Sequence, residues 1–287
     1  MIPVRIAIHS SGAERKMNVE VLDLPSLTAQ AMLVALYQAL LQANDSSEET
    51  SYHVRGSIDL AGYPPSPIDL WASAGDQAGA PLAAALLTGD RFARIYSNGS
   101  RQGAVRAIDL SVDVIPHRVQ VELETARLIS GDILHAGDTA VVEATIRPWQ
   151  QPARNVRIPF RIPGHLGAGN LRILVSDSGT LDRTLDQPRN SARPLDLDSV
   201  LALARRRHAG DRIYVSLLVP ETQAGMGGET LESLPLSVAN TLEPLRTVQD
   251  VNLNGESAQV AGEADAGGAL SGFQILNLRI EPGGGLN

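Results

Sequence analysis

The four residues Asp177-Ser178-Gly179-Thr180 have the types and spacing of an aspartic-protease active loop, and they follow the apolar run 171–175. Peptide hydrolysis of that kind needs two carboxylates that share one proton. The sequence contains no second Asp-Ser-Gly or Asp-Thr-Gly, so Asp177 could act only as half of a site completed by a second copy of the chain. The alternative is an ordinary turn at the end of a strand, where Asp, Ser and Gly are common.

The same loop offers Ser178 as a candidate serine nucleophile. Such a serine needs a histidine base within hydrogen-bond reach. His165 is the nearest histidine along the chain, and it precedes the strand that Ser178 follows. Because a strand rises about 3.3 Å per residue, the two side chains are expected at opposite ends of the sheet. This expectation argues against a serine–histidine pair.

The histidines show no spacing typical of metal ligands, such as two histidines four residues apart on a helix. We interpret each of them as a surface or capping residue: His9, His53, His117, His135, His165 and His208. The sequence therefore predicts no catalytic, cofactor-binding or metal-ligating residue, and no cofactor.

Two further motifs have simpler structural explanations. The run Arg205-Arg206-Arg207 could form an anion or nucleic-acid patch, but it falls at the predicted C-terminal end of a helix, where cations complement the helix dipole. The glycine-rich segment 164–169 joins two predicted strands. It therefore lacks the helix N-terminus that a phosphate-binding loop requires.

The elements that position these residues are mostly strands. Apolar and polar residues alternate over four successive segments, 119–124, 142–147, 156–162 and 171–175, with Gly-marked turns between them. A period of two predicts half-buried antiparallel strands, and their spacing is typical of a small β-sandwich. The predicted class is α+β, mostly β.

The remainder of the chain indicates three regions. A mixed α+β region is predicted at 1–115, an immunoglobulin-like β-sandwich at 116–180, and a small α/β helix-strand extension at 181–287. Within the first region a second helix is expected at 81–87, ending at Gly89, and within the extension a helix at 196–208, stopped by a left-handed Gly210. The Gly-, Ala- and Asn-rich segment 249–270 is expected to be mobile.

Composition excludes several functional classes. The net charge of −8 argues against a dedicated nucleic-acid binder, which needs a positive face. The absence of cysteine rules out disulfides, thiolate zinc sites and cysteine nucleophiles. The most apolar run, 29–41, is too short for a membrane span and is interrupted by glutamines, so no span is predicted.

A series of short segments, taken in chain order, is similar to one bacterial family. The segments are 1–5 (MIPVR), 18–21 (NVEV), 54–58 (VRGSI), 62–65 (GYPP), 136–139 (AGDT), 146–148 (IRP), 156–159 (VRIP), 211–215 (DRIYV) and 234–238 (LPLSV). Together they resemble the longer, exported relatives of the stage IV sporulation protein B type serine peptidases, found for example in acidobacteria. The resemblance covers the chain to about residue 240.

In that family the region with the catalytic Gly-His motif lies upstream of the segment that matches Met1, and a Gly-x-Ser-Gly-Ser-Pro motif carries the nucleophile. Neither that region nor that motif occurs here, so the resemblance places no catalytic residue on this chain. It implies a non-catalytic C-terminal portion whose first two strands, within residues 1–24, complete an upstream peptidase-like domain. It also implies that Met1 is an internal methionine, and that the protein is extracytoplasmic, either periplasmic or secreted.

The expected function is therefore non-enzymatic: a scaffold or protein-interaction region of a peptidase-like envelope protein, with a protein partner or the upstream peptidase-like domain as its partner. One alternative is an aspartic-type protease that uses Asp177 in a dimer. Another is a ligand-binding β-sandwich, although Trp71 and Trp149 are the only indoles that could form a carbohydrate platform.

Overall fold

The computed structural model describes residues 1–10, 12–24, 27–43, 49–73, 79–97, 104–186, 196–226, 229–231, 234–242 and 252–281. The chain divides into two compact units. In its described part the first unit comprises 1–119 and 196–209, and the second comprises 120–186 and 210–281. The prediction of an α+β, mostly β protein is confirmed.

The elements of the first 119 residues are β1 (Ile2–Ser10), β2 (Ala13–Val21), α1 (Thr28–Ala43), β3 (Ser51–Leu60), β4 (Ser66–Ala72), α2 (Ala80–Tyr96) and β5 (Val105–Ile115). They are followed by β6 (Gln120–Leu128), β7 (Ile133–His135), β8 (Thr139–Pro148), β9 (Arg154–Arg161), β10 (Gly169–Ser176), α3 (Ser178–Asp186) and α4 (Leu197–Arg205). The remaining elements are β11 (Arg212–Val219), β12 (Gln223–Met226), β13 (Glu229–Leu231), α5 (Leu236–Leu242), β14 (Asn252–Asn254), β15 (Ser257–Asp265), β16 (Ala269–Ser271) and β17 (Phe273–Glu281). Among the described helices none combines the length and the apolar character needed to cross a membrane.

The first unit is built on a five-stranded sheet in the order β2-β1-β5-β3-β4. β1 and β5 run parallel, and the other neighbours are antiparallel. The alternate apolar residues of β1, such as Val4 and Ile6, form one core with Leu36 of α1, Phe92 of α2 and Leu201 of α4. All three helices therefore contribute to the core on the same face of the sheet. β1 has a neighbour on each side, so residues 2–21 are an integral part of this sheet.

Two predicted helix ends were wrong. α2 does not stop at Gly89 but continues to Tyr96. Gly89 faces α1 within the helix: a Cβ on it would lie 3.4 Å from the Cβ of Leu33. α4 ends at Arg205, and Arg206 keeps right-handed helical angles as the C-cap. Gly210 is not among the described glycines with positive φ, so it does not provide the expected stop.

The second unit is a sandwich of two sheets around one core. The strand orders are β16-β6-β8-β9 and β15-β11-β10-β17-β7, and a small sheet β13-β12-β14 is added. Val142 and Ile158 from the first of these sheets share a hydrophobic cluster with Ile173 and Val215 from the second. The four strands predicted from alternation correspond to β6, β8, β9 and β10. However, β10 belongs to the opposite sheet from the other three.

The prediction of a mobile segment at 249–270 was also wrong over residues 252–270, and residues 249–251 lie outside the described part of the chain. β15 pairs with β11 from Ser257 to Asp265 with one register shift, and β16 pairs in parallel with β6. The small residues reflect close packing: a Cβ on Gly262 would lie 3.0 Å from the carbonyl oxygen of Pro159 in β9. The segment has the composition of a loop, but it forms a strand that lies against the backbone of β9.

At Gly56 the backbone of β5 leaves no room for a side chain on β3. A Cβ placed on it would lie 2.0 Å from the carbonyl oxygen of Asp109, far inside any non-bonded contact. Because the clashing atom belongs to the backbone of a central strand, a side-chain rotation cannot relieve the overlap. Only glycine fits at this position without moving β5.

We therefore expect Gly56→Ala to lower the unfolding free energy of the first unit by about 2–3 kcal/mol. Urea unfolding followed by Trp71 fluorescence, in a Trp149→Phe background, measures this. Gly62→Ala is the matched control, because Gly62 has a φ of +82° but no atom within 4 Å of the place that a Cβ would occupy. The control should cost only about 1–2 kcal/mol for the left-handed backbone. Equal losses in the two variants would contradict the steric explanation.

Candidate functional site

Asp177 lies immediately before α3, and both of its carboxylate oxygens are engaged. Oδ1 accepts a hydrogen bond from the backbone N–H of Thr180 at 2.6 Å. Oδ2 accepts one from the backbone N–H of Gly272 at 2.8 Å. The N–H of Asp177 in turn donates to the carbonyl oxygen of Gly272 at 3.1 Å. The side chain thus caps α3 and links it by a hydrogen bond to Gly272, which is distant along the chain.

The hydrogen bonds between Asp177 and Gly272, which we call the clamp, are important because of where Gly272 lies. Gly272 separates β16, which belongs to the four-stranded sheet, from β17, which belongs to the five-stranded sheet. Its φ of +109° suits glycine, and a Cβ there would lie 3.2 Å from the carbonyl oxygen of Leu123. Asp177 therefore holds the point at which the chain crosses from one layer of the sandwich to the other.

These bonds determine what the loop can do chemically. In the described part of the chain the hydrogen-bond partners of the Asp177 carboxylate are the two backbone N–H groups, not a second carboxylate. The two bonds fix the position of the carboxylate, although each oxygen keeps a lone pair that can accept a further hydrogen bond. The expected strand-end turn is wrong in detail, since the residues after Asp177 begin the helix α3.

Ser178 and His165 are not brought together. His165 is exposed in the connection before β10, and Ser178 follows that strand. An eight-residue strand separates them, which corresponds to roughly 25 Å. The glycine-rich segment 164–169 joins β9 to β10, as its sequence context predicted.

We expect Asp177→Ala to lower the unfolding free energy of the second unit by about 2 kcal/mol, since it removes a helix cap and a link to Gly272. Ser178→Ala is the neighbouring control. The Ser178 hydroxyl forms no hydrogen bond with the described residues, so this change should stay within about 0.5 kcal/mol. Urea unfolding followed by Trp149 fluorescence measures both variants, and an unchanged stability of Asp177→Ala would refute the clamp.

The open face is the surface of the first sheet that lies opposite the helices. Its residues alternate with the core residues of β1, β3, β4 and β5 and include Arg5, His53, Arg55, Asp69, Trp71, Asp109 and Asp113. Arg5 Nη2 lies 2.7 Å from Asp109 Oδ2, and Arg55 Nη2 lies 2.5 Å from Asp113 Oδ2. The side chains of Arg5 and Asp109 remain 62% and 50% exposed. The open face thus carries a network of solvent-accessible ion pairs.

One aromatic cluster lies within the open face. The rings of His53 and Trp71 stack with centroids 3.9 Å apart, and His53 Nε2 lies 2.7 Å from Asp69 Oδ1. The indole N–H of Trp71 is buried and has no hydrogen-bond partner in the described structure. Sequence reasoning missed this cluster. Alternation could have assigned each residue to the outer face, but the pairing of His53 with Trp71 depends on the register of β3 with β4.

The remaining candidates are dispersed. Arg205 donates to the carbonyl oxygen of Pro64 at 3.2 Å, and Nδ1 of His135 lies 3.4 Å from Asp138 Oδ2. The described residues contain no group of three or more His, Cys, Asp or Glu side chains that could hold a metal ion.

The outer face of the four-stranded sheet carries a second charge network. The Glu143 side chain is only 6% exposed, and it lies between two arginines on the neighbouring strands. Arg127 Nη2 is 2.5 Å from Glu143 Oε1, and Arg157 Nε is 3.1 Å from Glu143 Oε2. The pKa of Glu143 is held below its ordinary value mainly by hydrogen bonds from Arg127, and next in importance by the hydrogen bond from Arg157.

A lowered folded-state pKa gives a stabilisation that is complete above the ordinary glutamate pKa of about 4.3 and is lost as the pH falls through the folded value. We therefore expect Glu143→Gln to destabilise the second unit at neutral pH, and the difference from the wild type to shrink below about pH 4. Urea titrations across this range measure the difference. Glu281→Gln is the control, because Glu281 has no ion pair with the described residues. A difference that does not vary with pH would show that the arginines do not act through the charge of Glu143.

A scan against protein-family models, a search of curated proteins and a search of solved structures each find no match to this chain.

Proposed function

We propose that this chain is a non-catalytic protein-interaction module, and that it binds its partner through the open face of the first unit. The observation that carries the proposal is the one-sided construction of the sheet. Its core residues and α1, α2 and α4 occupy one side, while exposed ion pairs and the ring of Trp71 occupy the other. Tryptophan and arginine are the residues that most often dominate binding energy at protein interfaces.

The charge pattern favours a protein as the partner. Positive and negative side chains alternate across the face, as in the pairs Arg5–Asp109 and Arg55–Asp113. A nucleic acid or an anionic surface requires a contiguous basic area, which this arrangement does not offer. A folded protein surface of mixed charge can complement both signs, and such complementarity gives specificity and orientation.

The state of the motif residues supports a non-catalytic role. The Asp177 carboxylate is used for two backbone hydrogen bonds, and His165 is separated from Ser178 by the length of β10. The resemblance to the sporulation protein B type peptidases suggests which partner to expect: an upstream peptidase-like domain of a bacterial envelope protein. This assignment of partner and location rests on the resemblance alone.

Site-specific photo-crosslinking tests the surface. Benzoylphenylalanine at Ala7, on the open face, should capture one protein partner in the organism that carries the gene, and the same group at the exposed Gln151 of the second unit should not. Adding Arg55→Glu to the Ala7 variant should reduce capture at least about tenfold, because it replaces a positive charge of the open face with a negative one. Capture at both positions, or capture unaffected by the charge reversal, would contradict the assignment of the face.

A hydrolysis assay tests the non-catalytic role separately. The purified chain should release no peptides from casein. Cleavage that disappears in Asp177→Ala while the variant stays folded would favour the dimeric aspartic-protease alternative instead.

A further inference from the structure

The solvent side of α1 carries no charge. The helix runs from Thr28 to Ala43 and contains no Asp, Glu, Lys, Arg or His, although 20% of the chain is charged. Its core side is formed by residues such as Met32, Leu36 and Leu40. A helix at a protein surface ordinarily places charged residues on the opposite side. The solvent side of α1 instead consists of apolar and uncharged polar residues.

Three large apolar side chains stand on this side of the helix at intervals of seven residues. Leu27 is 47% exposed, Val34 55% and Leu41 43%. Leu27 directly precedes α1, and its carbonyl oxygen accepts a hydrogen bond from the N–H of Ala31 at 2.8 Å, so it continues the helical path. Seven residues correspond to almost two helical turns, so the three side chains form a row. We call this row the α1 stripe.

The α1 stripe is symmetric about Val34. Leu27 lies seven residues before Val34, and Leu41 lies seven residues after it. Two exposed glutamines, Gln30 and Gln38, lie four residues before and four residues after the same point. Residue types that repeat at equal distances in both directions are what an antiparallel pairing of two identical helices requires, because each residue then meets its counterpart from the other end.

We propose that α1 pairs antiparallel with α1 of a second copy of this chain, about a two-fold axis at Val34. Leu27 of each copy then meets Leu41 of the other, the two Val34 side chains meet at the axis, and Gln30 meets Gln38. An isologous contact must complement itself, and a helix without charged residues brings no like charges together. The proposal is independent of the open face, which lies on the opposite side of the sheet.

The size of the contact indicates a reversible dimer. From Leu27 to Leu41 the helix rises about 21 Å. Leu86 of α2 is 46% exposed and lies about one turn from Gly89, which faces α1, so it adds apolar area beside the stripe. Two helices in contact over this length bury on the order of 1,000 Å², the low end for a specific interface. We therefore expect a Kd on the order of 10 μM.

Sedimentation equilibrium of the full chain tests the association. The mean mass should rise from that of one chain towards that of two between about 1 and 200 μM. Val34→Glu should raise the Kd at least about tenfold, because it places two negative charges at the axis. Circular dichroism should show that this variant is folded, since Val34 lies outside the core.

Leu87→Glu is the matched control for Val34→Glu. Leu87 is 43% exposed, but it lies two residues before Gly89 and therefore on the side of α2 that is turned away from α1. This variant should dimerise like the wild type. A wild-type chain that is monomeric at about 200 μM, or equal losses in the two variants, would overturn the proposal.

Disulfide trapping tests the register, since the chain contains no cysteine. On oxidation, Val34→Cys should form a covalent dimer, because the two thiols meet at the axis. Leu27→Cys alone and Leu41→Cys alone should not, because the two-fold axis separates equivalent residues by about 21 Å. An equimolar mixture of these two variants should form the mixed dimer. Self-crosslinking of Leu27→Cys as rapid as that of the mixture would exclude the antiparallel pairing.

A flotation assay tests the other occupant that an uncharged helix surface could accept, a lipid surface. The wild-type chain should not float with phosphatidylcholine vesicles. A chain that stays monomeric and floats with the vesicles, while Val34→Glu does not, would assign the α1 stripe to a membrane and overturn the dimer.

Discussion

Alternation of side chains between the two faces of a strand is the constraint on which both units depend. A strand that buries one face exposes the other face to solvent. Each sheet therefore needs an apolar layer packed against one side. The first unit uses helices as its cover, and Val4, Ile6 and Leu110 face them. The second unit uses a second sheet, and Ile158 and Ile173 meet in its centre. The hydrophobic effect drives both arrangements, and in both units outward-facing side chains form ion pairs, as Arg5 and Asp109 do in the first and Arg127 and Glu143 in the second.

The Asp177 loop shows that local sequence and tertiary context can indicate different roles for the same residues. The four residues have the types of a catalytic loop, and in isolation nothing distinguishes them from one. In the fold, the carboxylate satisfies a helix N-terminus and the backbone of Gly272, almost a hundred residues later in the chain. A carboxylate that accepts two backbone hydrogen bonds serves the sandwich, because it joins a helix to the crossing between the layers.

Glycine was the residue that sequence reasoning interpreted least well. Gly89 suggested the end of a helix, and Gly262 lies in a segment that was expected to be mobile. Both lie within regular elements, where an atom of a neighbouring element would be within 3.4 Å of a Cβ placed on the glycine. Glycine serves both for flexibility and for close approach, and the two uses look the same in a sequence. Only the neighbouring element, distant along the chain, tells them apart.

The sequence by itself determined several strands, their buried faces and the mostly β class, because periodicity is a local property of consecutive residues. The four alternating segments correspond to β6, β8, β9 and β10. Tertiary structure alone decided which strands pair, as in the parallel pair of Val4 with Ile108, and which side chains therefore meet, as do His53 and Asp69 or Arg127 and Glu143. Strand register and helix docking are settled by the burial of many residues at once across the whole unit, and no short segment carries that information.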